Sequence, residues 1–535
     1  MIRSRAARVT GGLLLVLLLW LVVYPLVLVL LDGVHGPAGW TLEHVRAFLA
    51  RPTEWRALWG SLWISLASVV LAAAVGIPLA VLFSRYDLPG ARLLGGLVAL
   101  PAVLPPLVGV IAFLFLYGET GFVSLLLMKL LRLQDPPWRL EGAGAILLVH
   151  AYSMYVYFYL FVRAGLAALD GAQLEAAASL GAGRWRTVSR VVVPQLRPAL
   201  MGAALLTFMT SLASFSAPYI FGGGFRVMTT QIVSTRLNGE NELAMVETVS
   251  LTVLALLALL LLRGTAPASE RGGGRKGAAP ARLPIRRPAV RWVATGLAWL
   301  LVLVLLLPHL TLLLVSFVPV GTWTTEPLPP AYTIHNYVAL LQDPVRVRPL
   351  LNSLWLATAA TIAAVAIGLA GALVAARRRG RLGQLIEGLL ALPWAVPGTV
   401  FAIALATAFS VRAPWAGRFI LVGTLWILPL AYLVRNLPIT SRAILAGARA
   451  LDPALDEAAG SLGAGIVGVQ QDRRHEVPEG GDEGEAAAGE QRRPQQREGH
   501  LTQGPPPPRP QRAGRLVQRR IEGPGSGENR ATGDR

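Results

Sequence analysis

Two short segments hold the residue pattern with the clearest chemical meaning in this 535-residue chain. Glu175-Ala176-Ala177 is followed by Gly181, and the pattern recurs as Glu457-Ala458-Ala459 with Gly463. Glu and Ala are good helix formers, and a glycine placed six positions after the glutamate ends or bends the helix while letting another backbone approach. This is the chemistry of a docking surface, and the residue sets that make or break bonds are missing. Cysteine is absent, which excludes disulfides, thiolate metal sites and cysteine nucleophiles. Only Lys129 and Lys276 among the 49 basic residues are lysine. Neither follows glycine and precedes Ser or Thr, as the lysine of a phosphate-cradling loop must. With no HExxH pair, no carboxylate cluster and no nucleophile beside a base, no resident metal, cofactor or catalytic centre is expected. Glu247 and Glu387 fall near the ends of apolar runs, where snorkelling accounts for them, and His150 and His309 stand alone as packed or interfacial residues.

The elements that must position the two segments are membrane helices. Hydrophobic residues make up 54% of the chain, charged residues 15%, and mean hydropathy is +0.54, against about 25% charged residues in soluble domains. A helix crossing the hydrocarbon core needs roughly 20 apolar residues. Ten stretches qualify: 11–31, 58–84, 93–117, 143–167, 199–221 and 246–263, then 293–316, 352–376, 384–411 and 419–436. The net charge of +19 would suggest nucleic acid in a soluble protein. Here arginines occupy alternate loops: Arg3, Arg5 and Arg8, then Arg85 and Arg92, then Arg184, Arg186, Arg190 and Arg197. Positive loops stay in the cytoplasm, so the N-terminus is expected inside and lipid, not nucleic acid, is the expected partner of this charge. Residues 264–291, rich in Arg, Gly, Pro and Ala, read as a flexible cytoplasmic linker.

The chain also repeats itself. At an offset of 292, Ser61-Leu62-Trp63 faces Ser353-Leu354-Trp355, Gly76 faces Gly368, and Pro101 and Pro105 face Pro393 and Pro397. At an offset of 282, Asp170–Gly183 matches Asp452–Gly465 with ten of fourteen positions identical. Residues 1–263 and 292–465 are therefore expected to be two halves in parallel orientation, six spans in the first and four in the second, able to enclose a path between them. The paired prolines read either as shared helix kinks or as walls of that path.

The loop from Glu175-Ala176-Ala177 and Gly181 to Val191-x-Val193-Pro194 resembles the EAA loop of permease subunits from ATP-binding-cassette importers. That family ends the motif in Ile-x-Leu-Pro, so the valines are a conservative departure at the right spacing. The resemblance extends over both halves and is closest to fused permeases for ferric iron, thiamine and related small solutes. Ser214-Phe215-Ser216-Ala217-Pro218-Tyr219 looks like the post-EAA region of the ferric type. The resemblance implies an all-α type I importer fold in the inner membrane. It also implies coupling through Glu175, Ala176, Ala177 and Gly181 and through Glu457, Ala458, Ala459 and Gly463. The partners it implies are a homodimer of ATPase subunits, which uses the ATP, and a periplasmic or lipid-anchored solute-binding protein. The rival reading is an ion-coupled carrier with two parallel six-span repeats, although the acidic relays such carriers bury are scarce in this chain.

The second copy of the motif breaks off. Residues 466–535 contain no Phe, Trp or Tyr and are rich in Arg, Gly, Pro and Gln, a composition expected to be disordered. The arginine-for-lysine bias points to a GC-rich gene, and the loss of pattern after Gly465 reads as a shift of reading frame. A natural regulatory tail is the alternative.

Overall fold

A computed structural model describes residues 2–36, 39–264, 282–323, 328–377, 380–410 and 420–450. The second motif, with Glu457, Ala458, Ala459 and Gly463, lies outside these residues, as does the tail 466–535.

The chain enters as α1 (Ile2–Leu18) and α2 (Tyr24–Gly33), one span interrupted by a π-turn at Leu19–Val23. Pro25 accounts for the turn, because it has no N–H for the Leu21 carbonyl and its ring crowds that carbonyl. A small hairpin of β1 (His35–Gly36) and β2 (Gly39–Trp40) leads to α3 (Glu43–Ala50) and the long α4 (Pro52–Arg85). After β3 (Tyr86–Asp87) come α5 (Ala91–Leu97), a 3-10 turn at Leu100–Val103, α6 (Pro106–Tyr117), α7 (Phe122–Leu131) and α8 (Gly142–Ala167). Then follow α9 (Gly171–Ser179), α10 (Arg184–Thr187), a π-turn at Val188–Val192, α11 (Val193–Leu212), α12 (Ser216–Phe221), α13 (Met228–Leu237) and α14 (Asn241–Gly264). The second half comprises β4 (Leu283–Pro284), α15 (Pro288–Ser316), α16 (His335–Gln342), α17 (Pro344–Arg377), α18 (Arg381–Ala395), α19 (Gly398–Ser410) and α20 (Ile427–Ala450).

Among the described residues eight helical stretches are long and apolar enough to cross a membrane, or nine if α18 and α19, bent by 108°, count as one span. The ten-span expectation differs at three places. Residues 93–117 do not form one helix, because Pro101, Pro105 and Pro106 break it into α5, the 3-10 turn and α6. Residues 384–411 bend sharply at Val396-Pro397. The last span expected, 419–436, is replaced by α20, which begins at Ile427 and carries Arg435, Asn436 and Arg442.

The repeat is legible in the element bounds. Helices α16 and α17 begin and end 292 residues after α3 and α4. Gly76 of α4 lies against α8, where a Cβ would overlap the Tyr155 carbonyl oxygen and stand 2.7 Å from the Phe158 Cβ. In the second half Gly368 of α17 lies against Thr440 and Ser441 of α20, 3.1 and 3.3 Å from the corresponding Cβ position. The 282 offset maps those two residues onto Phe158 and Tyr159, so both halves use one glycine-mediated crossing of the same two helices.

The halves exchange their first spans. Leu14, Leu18 and Val22 of the opening span share a core with Ile386, Leu390 and Val400 of α18 and α19. Ala298 and Val302 of α15 share another with Leu94, Val98 and Tyr155 of the first half. Tyr152 of α8 ties the same junction by donating to the Leu305 carbonyl at 3.0 Å, with its hydroxyl 3.1 Å from His309 Nδ1. Of the linker expected to be flexible, residues 265–281 lie outside the described residues. Its end is ordered: Leu283–Pro284 pairs in parallel with Tyr86–Asp87, and α15 starts at Pro288.

Glu247 does not snorkel as expected. It is fully buried in α14, where its Oε1 accepts from Thr235 Oγ1 at 2.7 Å, and its carboxyl meets that of Glu54, which is 1% exposed. Glu54 Oε1 accepts from Gln231 Nε2 at 3.1 Å, while the Oε2 atoms of both acids have no donor among the described residues. Paired burial replaces solvent access because α4, α13 and α14 close over this end of the bundle. A hydrogen bond between two carboxyl groups needs a proton on one of them. Glu247→Gln, whose amide can donate without that proton, is expected to keep the unfolding midpoint in detergent near wild type. Glu247→Leu takes away the acceptor of the buried Thr235 hydroxyl and is expected to cost about 1–3 kcal/mol in the same measurement.

Candidate functional site

The first motif forms a capped, exposed helix. Asp170 starts α9 by accepting the Ala172 N–H at 3.0 Å, the cap expected of Asp before a helix. Leu180 ends it, and Gly181 takes φ +74°. The Gly181 N–H then bonds the Ala178 carbonyl at 2.9 Å, and the Ala182 N–H bonds the Ala177 carbonyl at 3.0 Å. This paired termination needs a residue tolerant of the left-handed region. A Cβ at Gly181 would meet nothing within 4 Å, so within the chain its work is the turn and not the close backbone approach expected from sequence.

Glu175 and Ala176 are exposed and Ala177 is half-buried. Leu180 and Trp185 are 88% and 81% exposed, the latter flanked by exposed Arg184 and Arg186. The π-turn at Val188–Val192 precedes Pro194 as the first π-turn precedes Pro25, so the motif's terminal proline re-aims the chain into α11.

The prolines lie elsewhere, at two cavities between the halves. A cavity of about 470 Å³ is walled by Pro101, Pro105 and Pro106 at the break before α6, by Ser214 and Phe215, and by Arg435 of α20. A second, of about 290 Å³, is walled by Val396 and Pro397 at the break before α19, by Trp394, and by Arg435 and Arg442. The two share Thr210, Ala213 and Arg435 as walls. Pro393 borders neither; it is buried inside α18. Breaks in membrane helices are tolerated where they face protein or a polar cavity, and both of these breaks border a cavity.

His150 lines the larger cavity from α8 and is 1% exposed. Its Nδ1 lies 2.9 Å from Ser68 Oγ and 3.1 Å from Ser211 Oγ, and its Nε2 lies 2.9 Å from Ser214 Oγ. This joins α4, α8 and α11 through a packed histidine, as expected for a lone histidine on an apolar helix. Among the described residues no group of three or more His, Cys, Asp or Glu could hold a metal ion.

Residues 72–267, which span α9 and the larger cavity's first-half wall, match the family model described as binding-protein-dependent transport system inner membrane component. A probable ABC transporter permease protein of Sinorhizobium fredii is 30% identical over 420 residues, covering 78% of this chain and 74% of that protein. This chain is an ABC transporter permease. It is also similar to the ferric transport system permease protein FbpB of Actinobacillus pleuropneumoniae, 26% identical over 462 residues, 85% of this chain and 66% of that protein. The molybdenum transport system permease protein ModB of Escherichia coli is 32% identical over 232 residues, 42% of this chain and 97% of that protein. Membership in this family sets aside the ion-coupled carrier.

The structure of the permease adds residues that its sequence did not single out. Leu180 and Trp185 are ordinary apolar letters in the motif, and only their exposure marks them. Arg435 reads as a basic residue near a span end, yet it lies at the shared wall of both cavities. Its repeat counterpart at the 282 offset is Ser153, which also borders the larger cavity. That symmetry was available from the sequence once α8 and α20 were paired.

Proposed function

We propose that this permease forms the solute path of an importer between its two halves, 1–263 and 292–465, and that separate ATPase subunits, a homodimer, grip its exposed loops. Glu175, Ala176, Ala177 and Gly181 make the first loop, and Glu457, Ala458, Ala459 and Gly463 make the second. A periplasmic or lipid-anchored binding protein delivers solute to the opposite face. The N-terminus is cytoplasmic, a reading supported by the arginines that gather in alternate loops.

The observation that carries this reading is the form of residues 170–194. A short helix is capped at Asp170, stopped at Gly181, and presents Leu180 and Trp185 to the exterior between arginines. Apolar side chains so exposed next to a membrane call for a protein partner. Ferric iron is the solute we favour. The ferric permease of A. pleuropneumoniae matches along most of both halves, and Ser214, Phe215 and Ser216, from the segment that looks ferric-like, border the larger cavity.

Gly181→Asp tests the coupling assignment. A non-glycine residue held left-handed costs roughly 1–2 kcal/mol, and the new carboxylate changes the face offered to the partner. Co-purification of the full chain with its ATPase and solute-stimulated ATP hydrolysis are both expected to fall at least tenfold. Full retention of both would sink the assignment.

A further inference from the structure

The two cavities share a wall of Thr210, Ala213 and Arg435, and the charge on their linings bears on the charge of a solute that would pass. Among the described residues the charged side chains on these walls are Arg435, which borders both, and Arg442, which borders the smaller. No carboxylate borders either cavity. Arg442 stacks its guanidinium on Trp394, with Cζ 4.9 Å from the ring centroid. Arg435 places Cζ 3.8 Å from the Cβ position of Gly398, the first residue of α19, and makes no ion pair among the described residues.

The backbone adds charge of the same sign. Helix α6 starts at Pro106 on the larger cavity, and α19 starts at Gly398 beside Pro397 on the smaller. The first turn of each carries the positive end of the helix dipole. Half-helices that begin at a cavity favour anionic groups in this way. The repeat sharpens the point: the first-half counterpart of Arg435 is the uncharged Ser153, so the two halves contribute one arginine to the shared wall where symmetry would give two or none. Arg442 also borders a neighbouring cavity together with Glu387, so Arg435 is the group on these walls whose like charge a bare cation would meet.

We propose that the solute crosses this permease as an anion, held transiently by Arg435 between the N-termini of α6 and α19. The inference rests on the reading of these cavities as the solute path. An inorganic oxyanion or a ferric complex made net negative by its ligands shares the required chemistry, a compact group of negatively charged oxygens that accepts from a guanidinium.

The test is equilibrium binding to the full chain in nanodiscs, with radiolabelled molybdate and ferric citrate as anionic probes and radiolabelled thiamine as a cationic one. At least one anion is expected to bind, and its identity separates the oxyanion from the iron complex. Arg435→Gln is expected to weaken that binding at least tenfold, about 1.4 kcal/mol, and Arg435→Lys, which keeps the charge, to weaken it by less than about threefold. Undiminished binding by Arg435→Gln, thiamine bound as tightly as the anions, or no binding of either anion would overturn the proposal. Association with the ATPase is scored separately on wild-type nanodiscs. Its loss would count against the importer reading and leave the anion result standing, whereas an intact association with Arg435-independent binding would remove this inference alone.

Discussion

Gly76→Ala is expected to destabilise this permease by about 1–3 kcal/mol, the usual cost of forcing one extra carbon into a packed site, and Gly76→Leu to prevent its folding. The added Cβ would overlap the Tyr155 backbone oxygen and crowd Phe158 and Tyr159. Backbone atoms of a membrane helix cannot step aside without parting α4 from α8. Close approach through small residues is what holds such helices together, since lipid supplies little hydrophobic drive for them to associate. The second half supplies an internal comparison. At Gly368 the nearest atoms are Thr440 Oγ1 and the Ser441 nitrogen at 3.1 and 3.3 Å, so Gly368→Ala should cost less. Gly144→Ala in α8 meets nothing within 4 Å and should be neutral or stabilising by up to about 1 kcal/mol. Melting curves in a single detergent would rank the three variants, and a Gly76→Ala protein as stable as wild type would refute the ordering.

Trp185→Ala is expected to weaken ATPase association by roughly 30-fold, about 2 kcal/mol, while leaving the melting curve of the isolated permease unchanged. Trp185 is largely exposed and α10 has no buried residue, so removing its ring takes little from the chain's own packing. Aromatic anchors that enter a partner's pocket dominate interface energies, and the residues around them mainly exclude water. Leu180, beside the left-handed Gly181 and still more exposed, should follow with a smaller loss. The two readouts separate docking from folding: a fall in melting temperature with unchanged association would assign Trp185 to the permease's own structure.

The EAA helix could be read in detail before any coordinates. Glu175, Gly181 and Pro194 each act within a few residues of their own position: a helix former, a helix stop and a missing N–H. Local rules suffice for such features, whereas any close approach at Gly181 depends on a partner. The paired prolines were legible as breaks in the helices for the same reason. The sequence did not say which of them open on a cavity; Pro105 and Pro397 do, and Pro393 is packed away.

By itself the sequence determined that this is a helical membrane protein, duplicated, lacking the residues for ATP hydrolysis by a phosphate-cradling loop, with the Glu-Ala-Ala and Gly motif in each repeat. Apolar run length, internal matches and capping patterns are short-range quantities that survive projection onto one dimension. Tertiary structure alone decided that the first span of each half packs on the other, that Glu54 and Glu247 are paired in the interior, and that one arginine stands where two cavities meet. Glu54 and Glu247 are 193 residues apart, and Arg435 lies 222 residues from Ala213 on the same wall. Meetings at that range depend on how whole helices cross, and Gly76 and Gly368 set those crossings at single points that no local pattern announces.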